Sequence, residues 1–383
     1  MPIIGAMPTP VATSAVSPRS FGVASLIAAL ALVTACSGDD PRDAGGSFDD
    51  PSDGVQGSGV VLNENFVGSQ IFPPSNWWNL DVTSAPVDPN SQAYIDWISG
   101  RTPQNPNATR QLHPDFGPPP YGIPYVGVAG SQPRVPVTFV SYPGESDAGA
   151  PVGPPGYPIP DEARTQPNYI EGGVAGGGPS GDRHLLVIDR DNWLLFETWA
   201  TRWNNAQSRW DAGSGATWDL ATNGRRPDGW TSADAAGLAI FPGLVKYDEA
   251  YGAAPIAHAF RFTTRATNGS VWPASHEAGN TSGAPPMGTR LRMKASKDIS
   301  GYAPPLQRIF QAMKTHGLVL ADNGTDMYIT GTMDARWDND VLNPAFHGLY
   351  ADDFEVIALG WNPTPTGVPA TVATDAPPDV SPR

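Results

Sequence analysis

A glutamate and a histidine lie on one face of a predicted β-hairpin, the arrangement in this sequence best suited to acid–base chemistry. The strand-like segments 183–190 and 193–200 flank an Asp-Asn pair, which favours a two-residue turn. With that turn, His184, Glu197 and Trp199 share one face of the hairpin. Aromatic neighbours would desolvate the Glu197 carboxyl group and raise its pKa, as a general acid requires.

Cleavage of a glycosidic bond needs a second carboxyl group across the scissile bond. The candidates are Glu171, Asp182, Asp219 and Asp234. Asp234 follows a Thr-Ser pair that would cap a short helix, and that structural role alone would account for it. We expect Asp182 or Asp234 to be the partner and His184 to orient Glu197. A solvated strand face is the structural alternative for Glu197.

Tryptophan and arginine side chains are the predicted substrate contacts. Trp199 and Trp230 would form a platform for sugar rings, or would fill space between sheets. Arg290 and Arg292 alternate along a predicted strand and would suit a uronic acid polymer, although a solvated face is the commoner outcome for such a row. A lyase acting on that polymer would use His184 to remove the proton next to the uronate carboxyl group.

The histidines lack the spacing of metal ligands, since the sequence contains neither an HxH nor an HExxH motif. His258 lies on an apolar strand face and is interpreted as a core residue. We therefore expect no metal and no cofactor. A metal site assembled from distant histidines is the alternative that spacing leaves open.

Short apolar runs separated by turn residues predict a mainly β fold. The chain contains 42 glycines and 42 prolines, which favour turns over long helices. The clearest predicted elements are strands at 183–190, 193–200, 255–264 and 289–296, a hairpin joining 318–320 to 327–329, and helices at 91–98 and 305–316. This pattern predicts an antiparallel β-sandwich, or a jelly-roll-like fold, with a few short helices.

Composition predicts one folded domain at 61–362. Segment 37–60 is rich in Asp, Gly and Ser and is interpreted as an acidic tether, and 363–383 as a disordered tail. The net charge of -15 argues against nucleic acid as a partner. Twelve tryptophans in an acidic secreted chain favour a polysaccharide partner, and we expect a monomer.

The single cysteine, Cys36, follows an apolar stretch at 21–33 that is too short to span a membrane and is typical of a signal-peptide core. The segment 32–36 resembles a lipobox. The resemblance implies a signal peptide over 1–36 and lipidation of Cys36, which would be the only membrane attachment. Ser37, in place of the Asp of an inner-membrane retention signal, implies the outer membrane. A buried, unmodified thiol is the alternative.

Four other segments, 72–79, 181–190, 226–237 and 287–296, resemble a group of secreted bacterial proteins of unsettled role. No catalytic residues are assigned in that group. The resemblance therefore implies secretion but no activity.

The sequence thus predicts a lipid-anchored glycoside hydrolase of the cell envelope, with Glu197 as acid/base or nucleophile. A non-catalytic glycan-binding or envelope structural lipoprotein is the first alternative, and a polysaccharide lyase is the second. Paired carboxyl groups about 5–10 Å apart in a Trp-lined cleft would favour hydrolysis. A buried, hydrogen-bonded Glu197 would argue against it as the catalytic residue.

Overall fold

The computed structural model describes residues 59–148 and 155–363. Of the described residues, 25% lie in strands and 17% in helices, so this part of the chain is mainly β. The strands form three mixed sheets, none of them closed into a barrel, which confirms a β-rich, sandwich-like fold with short helices. Within the described residues, no helix combines the length and apolar character needed to cross a membrane.

The described elements are short, with few helices among many strands. The strands are β1 (Val60–Leu62), β2 (His113–Gly117), β3 (Tyr125–Val128), β4 (Val137–Phe139), β5 (Leu185–Asp189), β6 (Leu194–Trp199), β7 (Arg202–Asn204), β8 (Arg209–Ala212), β9 (Ser214–Asp219), β10 (Phe260–Thr264), β11 (Arg290–Met293), β12 (Leu318–Asn323), β13 (Tyr328–Met333) and β14 (Phe354–Val356). The α-helices are α1 (Ser91–Ser99), α2 (Asp161–Thr165), α3 (Tyr247–Ala250), α4 (Pro304–Thr315) and α5 (Asn339–His347).

The predicted hairpin forms the centre of a five-stranded sheet with the order β1-β3-β5-β6-β9. Leu186 pairs with Glu197 as predicted, although the connection is a four-residue turn in which Trp193 adopts a φ of 56°. One face of the hairpin packs into a smaller core through Leu185, Val187, Leu194 and Phe196. The other face joins the main core through Leu186, Ile188 and Leu195. Because both faces are covered, the expectation of a solvated strand face at Glu197 is wrong.

The second sheet has six strands in the order β14-β11-β12-β10-β13-β2. Since β10 lies between β12 and β13, the predicted hairpin of β12 with β13 is wrong. The connection between them bonds instead to the end of β10, through Gly324 N–H to Thr264 O and Met327 N–H to Thr263 O. Phe260 and Phe262 on β10 are fully buried, as expected for a central strand that is covered on both sides.

Helix α4 packs its apolar stripe of Leu306, Ile309, Phe310 and Met313 into the main core, as predicted. Pro304 and Pro305 lie in its first turn, where a missing N–H is tolerated. The inner faces of the five- and six-stranded sheets contribute to this same core. A third, three-stranded sheet, β4-β8-β7, contributes Val137, Phe139, Trp203 and Trp210 to the smaller core.

Candidate functional site

Glu197 is completely buried and does not reach solvent. Its carboxylate accepts hydrogen bonds from the backbone N–H groups of Ile240, at 2.9 and 3.0 Å, and of Phe241, at 2.8 Å. Burial raises the pKa of Glu197 to about 7, against the lowering effect of these two N–H groups. The structure therefore gives this residue a role in holding the turn at 240–241, and it does not place it where a substrate could make contact.

His184 is bonded to Glu171 and not to Glu197. Its Nδ1 lies 2.8 Å from Glu171 Oε2, and its Nε2 lies 3.1 Å from the Ala233 carbonyl oxygen. Burial would lower the pKa of His184, but the charge and hydrogen bond of Glu171 raise it to about 9. Both ring nitrogens then donate, so the imidazolium is held in place at neutral pH. This geometry orients Glu171 and leaves His184 without a free basic nitrogen for proton abstraction.

Glu171 is the accessible partner of this ion pair, with a quarter of its side chain exposed. Burial would raise the pKa of its carboxyl group, but His184 more than offsets this and lowers the pKa. Oε2 accepts both the His184 ring bond and a 3.2 Å bond from the His184 backbone N–H. Within the described residues no hydrogen bond reaches Oε1, so that oxygen remains available to a ligand.

A buried arginine on β10 joins the loop around Asp234 to the neighbouring strands β12 and β13. Arg261 donates through Nε and Nη2 to both oxygens of Asp234, at 2.9 and 2.8 Å. The same Nη2 lies 2.9 Å from Asp322 Oδ2, and Nη1 donates to Thr330 Oγ1 at 2.8 Å. Thr330 pairs in turn with Asp115 on β2, so the polar row crosses four strands from Asp322 to Asp115.

One guanidinium charge cannot neutralise two carboxylates. Asp234 is fully buried and takes two bonds from Arg261, whereas Asp322 is about a quarter exposed and takes one. Burial raises the pKa of Asp322 to about 6, with Asp234 adding to the shift and Arg261 opposing it. Asp322 is therefore a carboxyl group that can hold a proton in mildly acidic solution.

Two exposed carboxyl groups complete the cluster. Burial raises the pKa of Asp115, and the negative charges of Glu171 and Asp182 raise it further, although its own side chain is exposed. The charges of Glu171 and Asp182 act on Asp115, and the charge of Asp182 also acts on Asp322, so these carboxyl groups lie near one another. We call the group formed by Asp115, Glu171, Asp182 and Asp322 the acidic cleft.

Aromatic side chains stand beside the acidic cleft. The Trp199 indole N–H lies 3.2 Å from Asp182 Oδ1, and the ring packs over Gly213, where any Cβ would collide with it. Tyr142 is 39% exposed, and its ring centroid lies 6.4 Å from those of Trp199 and His276. Trp199 and the predicted carboxylate Asp182 are therefore neighbours at the acidic cleft.

The other predicted contacts have structural partners. The guanidinium of Arg226 covers the Trp230 ring at 5.3 Å, so one face of that ring is occupied by protein. Arg290 is buried and donates to the Trp77 carbonyl, and burial lowers its pKa to about 9. Arg292 lies 2.6 Å from Glu355 Oε1 and donates to the carbonyl oxygens of Val82, Thr83 and Ala85. The expected basic strip is therefore not free to bind a substrate, because Arg290 and Arg292 bond to the backbone of residues 77–85.

Three of the five remaining histidines form side-chain pairs that spacing did not predict. His347 Nε2 lies 2.9 Å from His113 Nδ1, and His258 Nε2 lies 2.9 Å from Glu249 Oε2. Among the residues that the structure describes, no group of three or more His, Cys, Asp or Glu side chains could hold a metal ion. Cys36 and nearly all of the predicted tether and tail fall outside the described residues, whereas Val60, the last residue of the predicted tether, lies in β1.

Sequence reasoning missed Asp322, Arg261 and Asp115. Asp322 was interpreted only as part of a turn, because it precedes an Asn-Gly pair. Arg261 carried a usable signal, since a charged residue between two phenylalanines in a buried strand requires a partner.

Comparison with protein-family models, with curated proteins and with solved structures finds no match to this chain.

Proposed function

We propose that the protein hydrolyses glycosidic bonds of a polysaccharide and that the acidic cleft is its active site. The observation that carries this proposal is that the pKa values of two accessible carboxyl groups are shifted in opposite directions. His184 lowers the pKa of Glu171, whereas burial raises that of Asp322 to about 6. Paired carboxyl groups whose surroundings separate their pKa values are the arrangement that glycoside hydrolysis requires.

In this mechanism Asp322 is the general acid. Its proton passes to the glycosidic oxygen as the bond to the anomeric carbon breaks, so that the leaving sugar departs as a neutral alcohol. Glu171, ionised and held by His184, either attacks the anomeric carbon or removes a proton from an attacking water. Arg261, bonded to Asp322 Oδ2, stabilises the carboxylate that remains after proton transfer.

The aromatic residues at the cleft supply sugar binding. Trp199 and Tyr142 offer partly exposed rings beside Asp182, and stacking on such rings binds the apolar face of a sugar. Asp182 is exposed and accepts the indole hydrogen bond of Trp199, so it is suited to bind sugar hydroxyl groups. A lyase reaction is less well supported, because both ring nitrogens of His184 are already bonded.

We also propose, from the lipobox resemblance at 32–36, that the chain is tethered to the cell envelope by lipid on Cys36. An anchored hydrolase would act on polysaccharide close to the cell surface. Metabolic labelling with a fatty acid analogue tests this: label on the wild type and none on Cys36→Ser is expected, and an unlabelled wild type would contradict it.

Activity is tested by incubating the purified protein with neutral and uronic polysaccharides and measuring both new reducing ends and 4,5-unsaturated ends. We expect reducing ends alone, and their loss in Glu171→Gln. Glu249→Gln is a matched control, because Glu249 pairs with His258 at 2.9 Å and is 21% exposed. Unsaturated ends would indicate that the protein cleaves the polymer by a lyase reaction and not by hydrolysis. Equal loss in both variants, or no cleavage of any polymer, would contradict the assignment of the site.

A further inference from the structure

A basic pocket lies next to the acidic cleft. Its cavity of about 460 Å³ is lined by Arg164, Arg202, Trp203 and the glycine-rich loop at 175–178. This volume suits a small ligand such as one or two sugar units. The chain has a net charge of -15, so a cavity lined by two arginines is a local concentration of positive charge in an acidic protein.

The two guanidinium groups are only weakly engaged by protein. Arg164 reaches Asp161 at 3.4 Å, and Arg202 reaches Asp211 at 3.7 Å, with 39% and 56% of their side chains exposed. Asp211 already accepts closer bonds of 2.8 Å from Arg209 and from an asparagine on β7. Most N–H donors of both arginines are therefore available to an anionic ligand.

The pocket is ordered before any ligand arrives. The Arg164 guanidinium lies 5.3 Å above the Trp203 ring, and Trp203 packs edge-on against Trp210 at 5.5 Å. Gly177, between the lining residues Gly176 and Gly178, is so close to the Thr201 carbonyl oxygen that no side chain would fit there. Preorganised donors lose little entropy on binding, which favours recognition of a defined group.

Two chain segments run from the pocket into the acidic cleft. Residues 178–179 line the pocket and Asp182 lines the cleft, while Trp199 stands at the cleft and Arg202 at the pocket. Backbone bonds from Ala200 N–H to Asp182 O and from Thr201 N–H to Arg183 O hold the two segments together. Three residues of chain span at most about 10 Å, so both sites can contact one oligosaccharide.

We propose that this basic pocket binds the carboxylate of a uronic acid residue close to the bond that the acidic cleft cleaves. The inference rests on the proposed function, and it specifies an acidic polysaccharide as the substrate class. Arginine forks match a planar carboxylate, whereas a neutral sugar gains little from two guanidinium charges. The carboxylates of the cleft repel such a polymer, so the arginines also fix where its charged residue is placed.

The test compares acidic oligosaccharides with their carboxyl-reduced, neutral counterparts. Oligomers of polygalacturonate, polyglucuronate and alginate, and the reduced form of each, are titrated into the protein in the Glu171→Gln background by calorimetry. We expect at least one acidic oligomer to bind roughly 10- to 100-fold more tightly than its reduced form, and added salt to narrow the difference. Arg164→Gln combined with Arg202→Gln should remove the preference.

Arg110→Gln is the matched control, since Arg110 is 52% exposed and forms an ion pair of 3.6 Å with Asp326. It should leave the preference intact. Three results would overturn the proposal that the basic pocket binds a uronate carboxylate. They are equal binding of acidic and reduced oligomers, an unchanged preference in the double variant, and no binding of any acidic oligomer. Hydrolysis of neutral polymers alone would overturn the inference while leaving the proposed function standing. Selective binding of acidic oligomers without cleavage of any polymer would overturn the proposed function while leaving the basic pocket standing as a carboxylate-binding site.

Discussion

Two glutamate–histidine pairs of nearly the same geometry lie in different surroundings. Glu171 Oε2 is 2.8 Å from His184, and Glu249 Oε2 is 2.9 Å from His258, with 25% and 21% of the two glutamate side chains exposed. Glu249 also lies 3.5 Å from the buried amine of Lys246. A single carboxylate there faces a lysine and a histidine, whereas Glu171 faces a histidine among further carboxylates.

The surrounding charge separates a structural ion pair from a candidate active site. Burial would raise the pKa of Glu249, but Lys246 and His258 lower it to about 2, so this carboxyl group stays ionised near neutral pH. In the acidic cleft, burial raises the pKa of Asp322 to about 6, and the carboxylates of Asp234 and Asp182 add to the shift against the opposing charge of Arg261. Proton exchange near neutral pH is therefore possible in the cleft and not at Glu249.

Access to solvent is the second condition. Glu197 has a pKa of about 7, which is higher than that of Asp322, yet it is sealed beneath the turn at 240–241. A perturbed pKa alone would have selected the wrong residue. Accessibility and charge together select the acidic cleft.

The largest expected effect is the loss of the general acid. Asp322→Asn should lower kcat by at least about 1,000-fold, because proton donation to the leaving group is lost. Asp248→Asn is the matched control, since Asp248 is 19% exposed and bonded to Arg336. In the wild type, kcat/KM should fall as pH rises through about 6, where Asp322 loses its proton. A comparable decrease in the Asp248→Asn control would show that the loss of activity reports folding and not catalysis.

The second expected effect is on stability in alkaline solution. His184 has a pKa of about 9 in the folded protein and about 6.5 when unfolded, so the folded state holds its proton more tightly. Protonation of His184 therefore contributes on the order of 3 kcal/mol to the free energy of unfolding. The contribution is fully present below pH 6.5 and is lost as pH rises through about 9.

Urea unfolding between pH 6 and 10 measures this loss. His184→Gln should be less stable than the wild type at pH 6 and should lack the alkaline decline, whereas His258→Gln should retain it. A wild type whose free energy of unfolding is constant across this range would refute the ion pair with Glu171.

The third effect distinguishes the buried glutamate from those of the cleft. Glu197→Gln places an amide N–H against the Ile240 N–H and should lower the free energy of unfolding by about 1–3 kcal/mol. The kcat of the folded fraction should not change. Denaturant unfolding and active-enzyme titration measure the two quantities separately. A loss of kcat at unchanged stability would return Glu197 to the active site.

Local patterns predicted the elements but not the site. Alternation and spacing predicted the register of Leu186 with Glu197 and the buried stripe of α4, because both depend on residues that are close in sequence. Arg261 and Asp322 meet only because β10 lies beside β12, a parallel pairing that no local turn signal encodes. For the same reason the sequence could place Glu197 on a strand face but could not show that the turn at 240–241, distant in sequence, covers it.

The smallest effect concerns the sugar platform, and Trp199 at the end of β6 can be compared with Trp193 in the turn before that strand. Trp199→Ala removes the ring beside Asp182 and should raise KM about tenfold with little change in kcat, because ring stacking contributes mainly to binding. Trp193, in the turn just before β6, donates its indole N–H to the Gln70 carbonyl oxygen at 3.0 Å. Trp193→Ala should therefore cost stability and leave KM unchanged. If both variants raise KM equally, stacking at Trp199 is not what binds the sugar.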